Sequence, residues 1–205
     1  MSLKLKGLYV ITDDILTPRN SVFEKVEQSL KGGAGIVQLR DKNSDDQTVI
    51  DKASKLQQIC RKYGAVFILN DKIELAVRLN CDGLHIGKSD HGNFEQIRKN
   101  FKGIIGVSCY GDISLAKEFE KKGADYVAFG SFFSSLTKPD SGVVPLDILT
   151  KAKEQLNIPI CAIGGINSKN ITKVMNHNPD MVSLISDIWK SPDIRSRANF
   201  YQDQF

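Results

Sequence analysis

Gly35-Ile36-Val37-Gln38-Leu39-Arg40-Asp41-Lys42 is an apolar run whose tail alternates, with Gln38, Arg40 and Lys42 standing two residues apart. Successive side chains of a β-strand turn to opposite faces, so in a strand these three share one face. Burying an amide, a guanidinium and an ammonium without partners is costly, and stability alone does not account for them. Two readings stand on this segment. One is a solvated edge strand; the other is a strand whose C-terminal end opens on a site for an anion, since Arg and Lys donate well to phosphate.

Moving outward, short apolar runs recur at Leu8 to Thr12, Ile36 to Leu39, Val66 to Leu69, Gly83 to Ile86, Ile104 to Val107, Tyr126 to Phe129, Ile160 to Ile163 and Val182 to Ile185. They are rich in Val and Ile and only partly alternating, as expected of parallel strands covered on both faces. Segments of helical spacing lie between them, for example Val22, Phe23, Val26 and Leu30, or Val49, Ile50, Ala53, Leu56 and Ile59. Gly32-Gly33, Gly64, Gly103 and Gly123 punctuate helix ends. Eight such units in 205 residues, without a Pro- or Ser-rich linker, predict one α/β domain over residues 1–205, a (β/α)8 TIM barrel near the lower size limit of that fold. A doubly wound open sheet is the alternative, but the glycine-rich first turn of a dinucleotide fold is missing.

Composition narrows the function classes. Hydrophobic residues make up 41% of the chain, enough for a sizeable core. No run approaches the roughly 20 apolar residues of a membrane span, and the N-terminus lacks a signal-peptide core, so the expectation is a cytoplasmic protein without a membrane partner. Cys60, Cys81, Cys109 and Cys161 lie far apart, unlike a disulfide framework or zinc site, and are expected to be reduced. The net charge of +4 is spread along the chain, with no basic block of the kind that binds nucleic acid. It is compatible with a small anionic ligand. Oligomeric state is left open, a homo-oligomer included.

In a barrel the active site occupies the C-terminal strand ends, so the residues that follow each run matter most. They are Arg40 and Lys42 after strand 2, Asn70 and Asp71 after strand 3, Gly87-Lys88-Ser89-Asp90 after strand 4, Ser108 after strand 5, Ser131 to Lys138 after strand 6, Gly164-Gly165 after strand 7 and Ser186 after strand 8. Asp71 and Asp90 would face a cationic, amide-rich rim, a layout suited to Mg²⁺, which is held by one or two carboxylates with substrate phosphates and water. Each Asp also precedes a helix and could simply cap it. Gly164-Gly165, with the helix start after strand 8, matches the recurring phosphate site of barrels. The segment Phe129 to Pro139 combines hydroxyls, Lys138 and aromatics in a loop that could close over a ligand. His85, inside strand 4, reads as a packed or hydrogen-bonded histidine, and Cys109 has no His placed to activate it.

These residues, in this order, resemble the family of thiamine-phosphate synthase and thiazole tautomerase. The resemblance runs through Leu8-Tyr9-Val10-Ile11-Thr12-Asp13, Val37-Gln38-Leu39-Arg40-Asp41-Lys42, Asn70-Asp71, Asp82-Gly83-Leu84-His85-Ile86-Gly87, Gly106-Val107-Ser108, Thr137-Lys138, Ala162-Ile163-Gly164-Gly165-Ile166 and Val182-Ser183-Leu184-Ile185-Ser186. The resemblance implies a transferase that joins hydroxymethylpyrimidine diphosphate to hydroxyethylthiazole phosphate, giving thiamine phosphate and diphosphate. Carried over by position, Gln38, Arg40, Lys42, Asn70, Ser108 and Lys138 would hold the pyrimidine diphosphate. Asp71 and Asp90 would hold Mg²⁺. Ser135, Thr137, Gly165, Ile185 and Ser186 would hold the thiazole phosphate, with Arg40, Lys42, Ser108 and Lys138 carrying the catalysis. The implied mechanism is ionisation to a pyrimidine methylene cation captured by the thiazole nitrogen, which needs positioning and charge stabilisation but no protein nucleophile.

The chain departs from the resemblance at Lys88, where the synthases usually have Gln, at Ser131 in place of a common Pro, and at Ser135 in place of a Thr. The stretch after Lys138 is short. Two alternatives follow. A thiazole tautomerase would tend to carry a His at the position of Ser131, which this chain lacks. A non-catalytic paralogue would bind a phosphorylated thiamine precursor without turnover.

Overall fold

The computed structural model describes residues 5–134 and 142–205. Its strands β1 (Gly7–Ile11), β2 (Ile36–Leu39), β3 (Val66–Asn70), β4 (Gly83–Ile86), β5 (Ile104–Tyr110), β6 (Tyr126–Phe129), β7 (Ile160–Ile163) and β8 (Met181–Leu184) pair in parallel in sequence order and close, β1 pairing with β8. The result is the (β/α)8 barrel that the recurring apolar runs predict. Helices α1 (Val22–Lys31), α2 (Asp46–Lys62), α3 (Ile73–Arg78), α4 (Phe94–Asn100), α5 (Ile113–Lys121), α6 (Asp147–Lys153), α7 (Ile171–Met175) and α8 (Ser186–Trp189) follow the strands. The chain ends on α9 (Ile194–Gln202), against α1. None of the described helices is long and apolar enough to cross a membrane.

The alternation of each strand divides the apolar residues into two cores. Outward side chains such as Leu8, Val37, Phe67, Leu84 and Val127 pack beneath the helices. Inward ones, among them Tyr9, Ile36, Val66, Ile68, Tyr126, Cys161 and Met181, fill the barrel. Their bulk plugs the lower part of the lumen, leaving the C-terminal end to be shaped by smaller and more polar groups. Helix starts are fixed locally: the side chains of Asp45, Asp112 and Asp193 accept from Thr48, Leu115 and Ser196 N–H in the first turns of α2, α5 and α9.

The strand bounds differ from expectation by one residue at β1, β3 and β8, with Asn70 ending β3 rather than following it, and by more at β5. β5 continues through an irregularity between Ser108 and Tyr110, so Ser108 lies inside the strand rather than after it, with its Cα opposite Ala128. A bulge bends the strand and re-aims its side chains. Here it leaves Tyr110 exposed with φ of 56°.

Candidate active site at the barrel mouth

All eight strands contribute to a cavity of about 340 Å³ at the C-terminal mouth. One wall carries Gln38, Arg40, Lys42, Asn70 and Asp71; the opposite wall carries Gly164, Gly165, Ile185 and Ser186; Ser108 and His85 lie between. The solvated-edge reading of β2 fails, since Gln38 is only 2% exposed. Arg40 is half-buried and Lys42 exposed, and neither head group makes a hydrogen bond or ion pair among the described residues. Two unpaired cations at the mouth of a concave site create a field that favours an anion.

The turn that carries them is held from behind. Asp41, 7% exposed, accepts from the N–H groups of Asn43 and Ser44 and from the Lys52 ammonium on α2. Burial alone would raise its carboxyl pKa, but the bonds from Lys52 and Ser44 outweigh this and hold it below the usual range. Alternation thus sends Arg40 and Lys42 to the cavity while Asp41 ties the same turn to α2.

Across the cavity the two glycines are required by shape. Gly164 and Gly165 have φ of 105° and 64°, where side chains are strained. A Cβ on Gly164 would fall 1.9 Å from Ser131 Oγ, and one on Gly165 would fall 2.5 Å from the Phe133 carbonyl oxygen. Bare backbone therefore faces the cavity here. Beside it, α8 begins at Ser186, where the first N–H groups of a helix have no intrahelical acceptor.

Neither acidic candidate is a helix cap. Asp71, exposed with φ of 60°, makes no side-chain hydrogen bond among the described residues, and the start of α3 shows no side-chain cap. Asp90 lies within a 3-10 turn over Lys88–Asn93 and accepts from Ser89 Oγ at 2.9 Å. Asp71 lines the cavity; Asp90 is not among its lining residues. Asp71 Oδ1 lies 3.9 Å from where a Cβ of Gly87 would stand, which sets it against the turn bearing Asp90. No cluster of three or more ligating side chains occurs among the described residues. A pair of hard carboxylate oxygens suits Mg²⁺, which completes its shell with phosphate and water rather than with a protein cage.

Ser135, Thr137 and Lys138 lie outside the described residues. Of the same loop, Phe132 is buried in the core and Ser131 Oγ donates to the Phe133 carbonyl oxygen. All four cysteines are free and buried. Burial pushes Cys109 up to about 12, which leaves it a thiol and no nucleophile.

The floor sets Gln38, Ser108 and His85, which is hydrogen-bonded as its place in strand 4 predicts, beside three polar groups that sequence reasoning missed, Tyr9, Tyr126 and Ser183. Tyr9 and Tyr126 lie in the barrel interior with their hydroxyls 2.9 Å apart. Gln38 Nε2 donates to Tyr9 Oη, Tyr126 Oη lies 2.8 Å from His85 Nδ1, and His85 Nε2 lies 2.9 Å from Ser108 Oγ. Ser183 is 2% exposed and lines the cavity, yet its hydroxyl has no hydrogen-bond partner among the described residues. The signal for Ser183 was available: it stands two residues before Ile185, as His85 stands two before Gly87, the same alternation that set Gln38 beside Arg40.

Comparison with known proteins agrees with this geometry. The family model described as thiamine monophosphate synthase matches residues 8–188. The thiamine-phosphate synthase of Nitrosococcus oceani is 41% identical, over 100% of this chain and 95% of its own length. That of Thermoplasma acidophilum is 40% identical over 93% of this chain and 88% of its own. The solved thiamine phosphate pyrophosphorylase from Pyrococcus furiosus superposes with a TM-score of 0.86 at 35% identity, covering 97% of this chain and 94% of that one. Full-length similarity at this level, on a barrel whose mouth gathers these residues, places the chain in the thiamine monophosphate synthase family.

Proposed function

We propose that the chain is a thiamine-phosphate synthase, joining hydroxymethylpyrimidine diphosphate to hydroxyethylthiazole phosphate with release of diphosphate. The observation that carries this reading is the two-walled cavity: Arg40 and Lys42, unpaired among the described residues, on one side, the bare backbone of Gly164-Gly165 and the start of α8 on the other. Two anionic substrates need two anion-binding walls.

In the reaction the bond between the pyrimidine methylene carbon and the diphosphate oxygen breaks, and its electron pair leaves on diphosphate. The thiazole nitrogen then donates its lone pair to that carbon. Arg40 and Lys42 stand where the leaving charge develops, with Lys138 as a further cation for the same group, and Asn70 beside them supplies an amide donor. Gln38 and Ser108 hold the pyrimidine ring, so that the methylene carbon faces the thiazole. Gly165, Ile185 and Ser186, with Ser135 and Thr137, hold the thiazole phosphate. Asp71 and Asp90 would hold Mg²⁺, which supplies Lewis-acid neutralisation of the diphosphate. No nucleophile is needed, in keeping with a cavity that presents cations, amides and hydroxyls.

The tautomerase alternative finds no support at position 131, where the Ser131 hydroxyl is engaged with Phe133 and no imidazole is present. Isothermal titration tests the arrangement. The thiazole phosphate should bind one-to-one both alone and in the presence of inorganic diphosphate with Mg²⁺, a pair that cannot react. Mutual competition would contradict the two-walled reading.

A further inference from the structure

The lower floor of the cavity is a single chain of hydrogen bonds running across the barrel, Gln38–Tyr9–Tyr126–His85–Ser108. Its two ends line the cavity, whereas Tyr9 and Tyr126 are 1% and 0% exposed and cannot touch a ligand. The contacts come from five different strands, β1, β2, β4, β5 and β6, and persist because their neighbours make room. Gly106 lies beside Tyr126, where a Cβ would fall 1.9 Å from Cζ. His85 and Tyr126 stack with ring centroids 5.7 Å apart.

The direction of these bonds follows from one end. The Gln38 amide nitrogen can only donate, and it donates to Tyr9 Oη. A buried phenol has one hydrogen, and leaving it without an acceptor is costly. The Tyr9 hydrogen must therefore go to Tyr126 Oη, the one other partner of its hydroxyl among the described residues. By the same rule the Tyr126 hydrogen goes to His85 Nδ1. An imidazole that accepts at Nδ1 carries its proton on Nε2, so it donates to Ser108 Oγ. Burial pushes both phenols well above their ordinary range, so neither hydroxyl loses its hydrogen near neutral pH.

We propose that Tyr9, Tyr126 and His85 are positioning residues that fix opposite hydrogen-bonding roles at the two ends of the chain, an acceptor at Gln38 Oε1 and a donor at the Ser108 hydroxyl. The complementary ligand edge offers a donor such as an exocyclic amino group to Gln38, and an acceptor, a ring nitrogen or phosphate oxygen, to Ser108. This deepens the proposed function and rests on it for the identity of the ligand, an aminopyrimidine. The hydrogen-bond direction itself does not depend on that identity. A ring with donor and acceptor exchanged would meet two like groups and be rejected, since unpaired polar groups discriminate strongly.

The test has a spectroscopic arm and a kinetic arm. In protein labelled with ¹⁵N-histidine, at about pH 8 where imidazoles are neutral, His85 should show the Nε2–H tautomer. Its resonances are assigned by elimination using His91→Gln and His177→Gln. The Nδ1–H tautomer would reverse the whole chain and overturn the proposal. Tyr126→Phe keeps the ring and removes the link. It should shift His85 toward a mixed tautomer and raise KM for the pyrimidine diphosphate by about tenfold, with KM for the thiazole phosphate within about twofold. An unchanged tautomer, or equal changes in both KM values, would refute the positioning role. Absence of any product from the wild-type protein would instead count against the proposed function, leaving the tautomer result to stand by itself.

Discussion

Gly106 and Tyr126 are matched across neighbouring strands: a Cβ on Gly106 would lie 1.9 Å from the ring Cζ of Tyr126 and 2.3 Å from its hydroxyl. The absence of a side chain on β5 is what admits the phenol on β6 and lets it reach both Tyr9 and His85. Gly106→Ala should therefore displace the ring and destabilise the protein by about 3 kcal/mol, as overpacking of a filled core does. Urea denaturation measures the loss. Combined with Tyr126→Phe the effects should be less than additive, because the first change already breaks the bonds that the second removes.

Asp41 is the anchor of the turn bearing Arg40 and Lys42, and its pairing with Lys52 gives a pH dependence of known sign. Its pKa is held down in the folded state. Its contribution is therefore fully present above the unfolded value of about 3.9 and is lost as pH falls through the folded value. Asp41→Asn should cost about 2 kcal/mol at neutral pH and progressively less below about pH 4. Urea midpoints at the two pH values check this; an equal deficit at both would show that the charge is not responsible.

Ser183 separates fold from function. Its buried hydroxyl has no partner among the described residues, so Ser183→Ala should leave stability unchanged or raise it by up to about 1 kcal/mol. If a substrate completes that hydrogen bond, affinity for that substrate should fall by about fivefold. Calorimetry with each substrate in turn identifies which one. A variant that is less stable but binds normally would make Ser183 a packing residue only.

Asp71 faces the cavity without a side-chain bond among the described residues. Asp71→Asn should raise the Mg²⁺ concentration for half-maximal activity by about tenfold or more, with a small effect on stability. An unchanged Mg²⁺ titration would remove the metal role from this residue.

Much of the fold was legible in the sequence because hydrophobic burial writes itself as period. The runs beginning at Leu8 and Val182 sit one residue from the observed β1 and β8, and the runs at Ile36, Gly83, Tyr126 and Ile160 coincide with β2, β4, β6 and β7. The end of β5 was not legible, since a bulge changes register without changing composition and carried Ser108 back into the strand. At the site, exposed or half-exposed polar groups at strand ends stand out against apolar runs, so Arg40, Lys42 and Asn70 could be read directly. The hydrogen-bonded role of Tyr9 and Tyr126 could not. Each sits among apolar neighbours and resembles core, and what distinguishes them is contact between strands far apart in sequence, 117 residues in the case of Tyr9 and Tyr126.

The central claim is that this cavity condenses a pyrimidine diphosphate with a thiazole phosphate. The most direct measurement supplies purified protein with both substrates and Mg²⁺ and follows the products. The account predicts thiamine phosphate and diphosphate in equal amounts, with neither formed when either substrate is withheld. No thiamine phosphate at high enzyme concentration, from protein that binds both substrates, would contradict it.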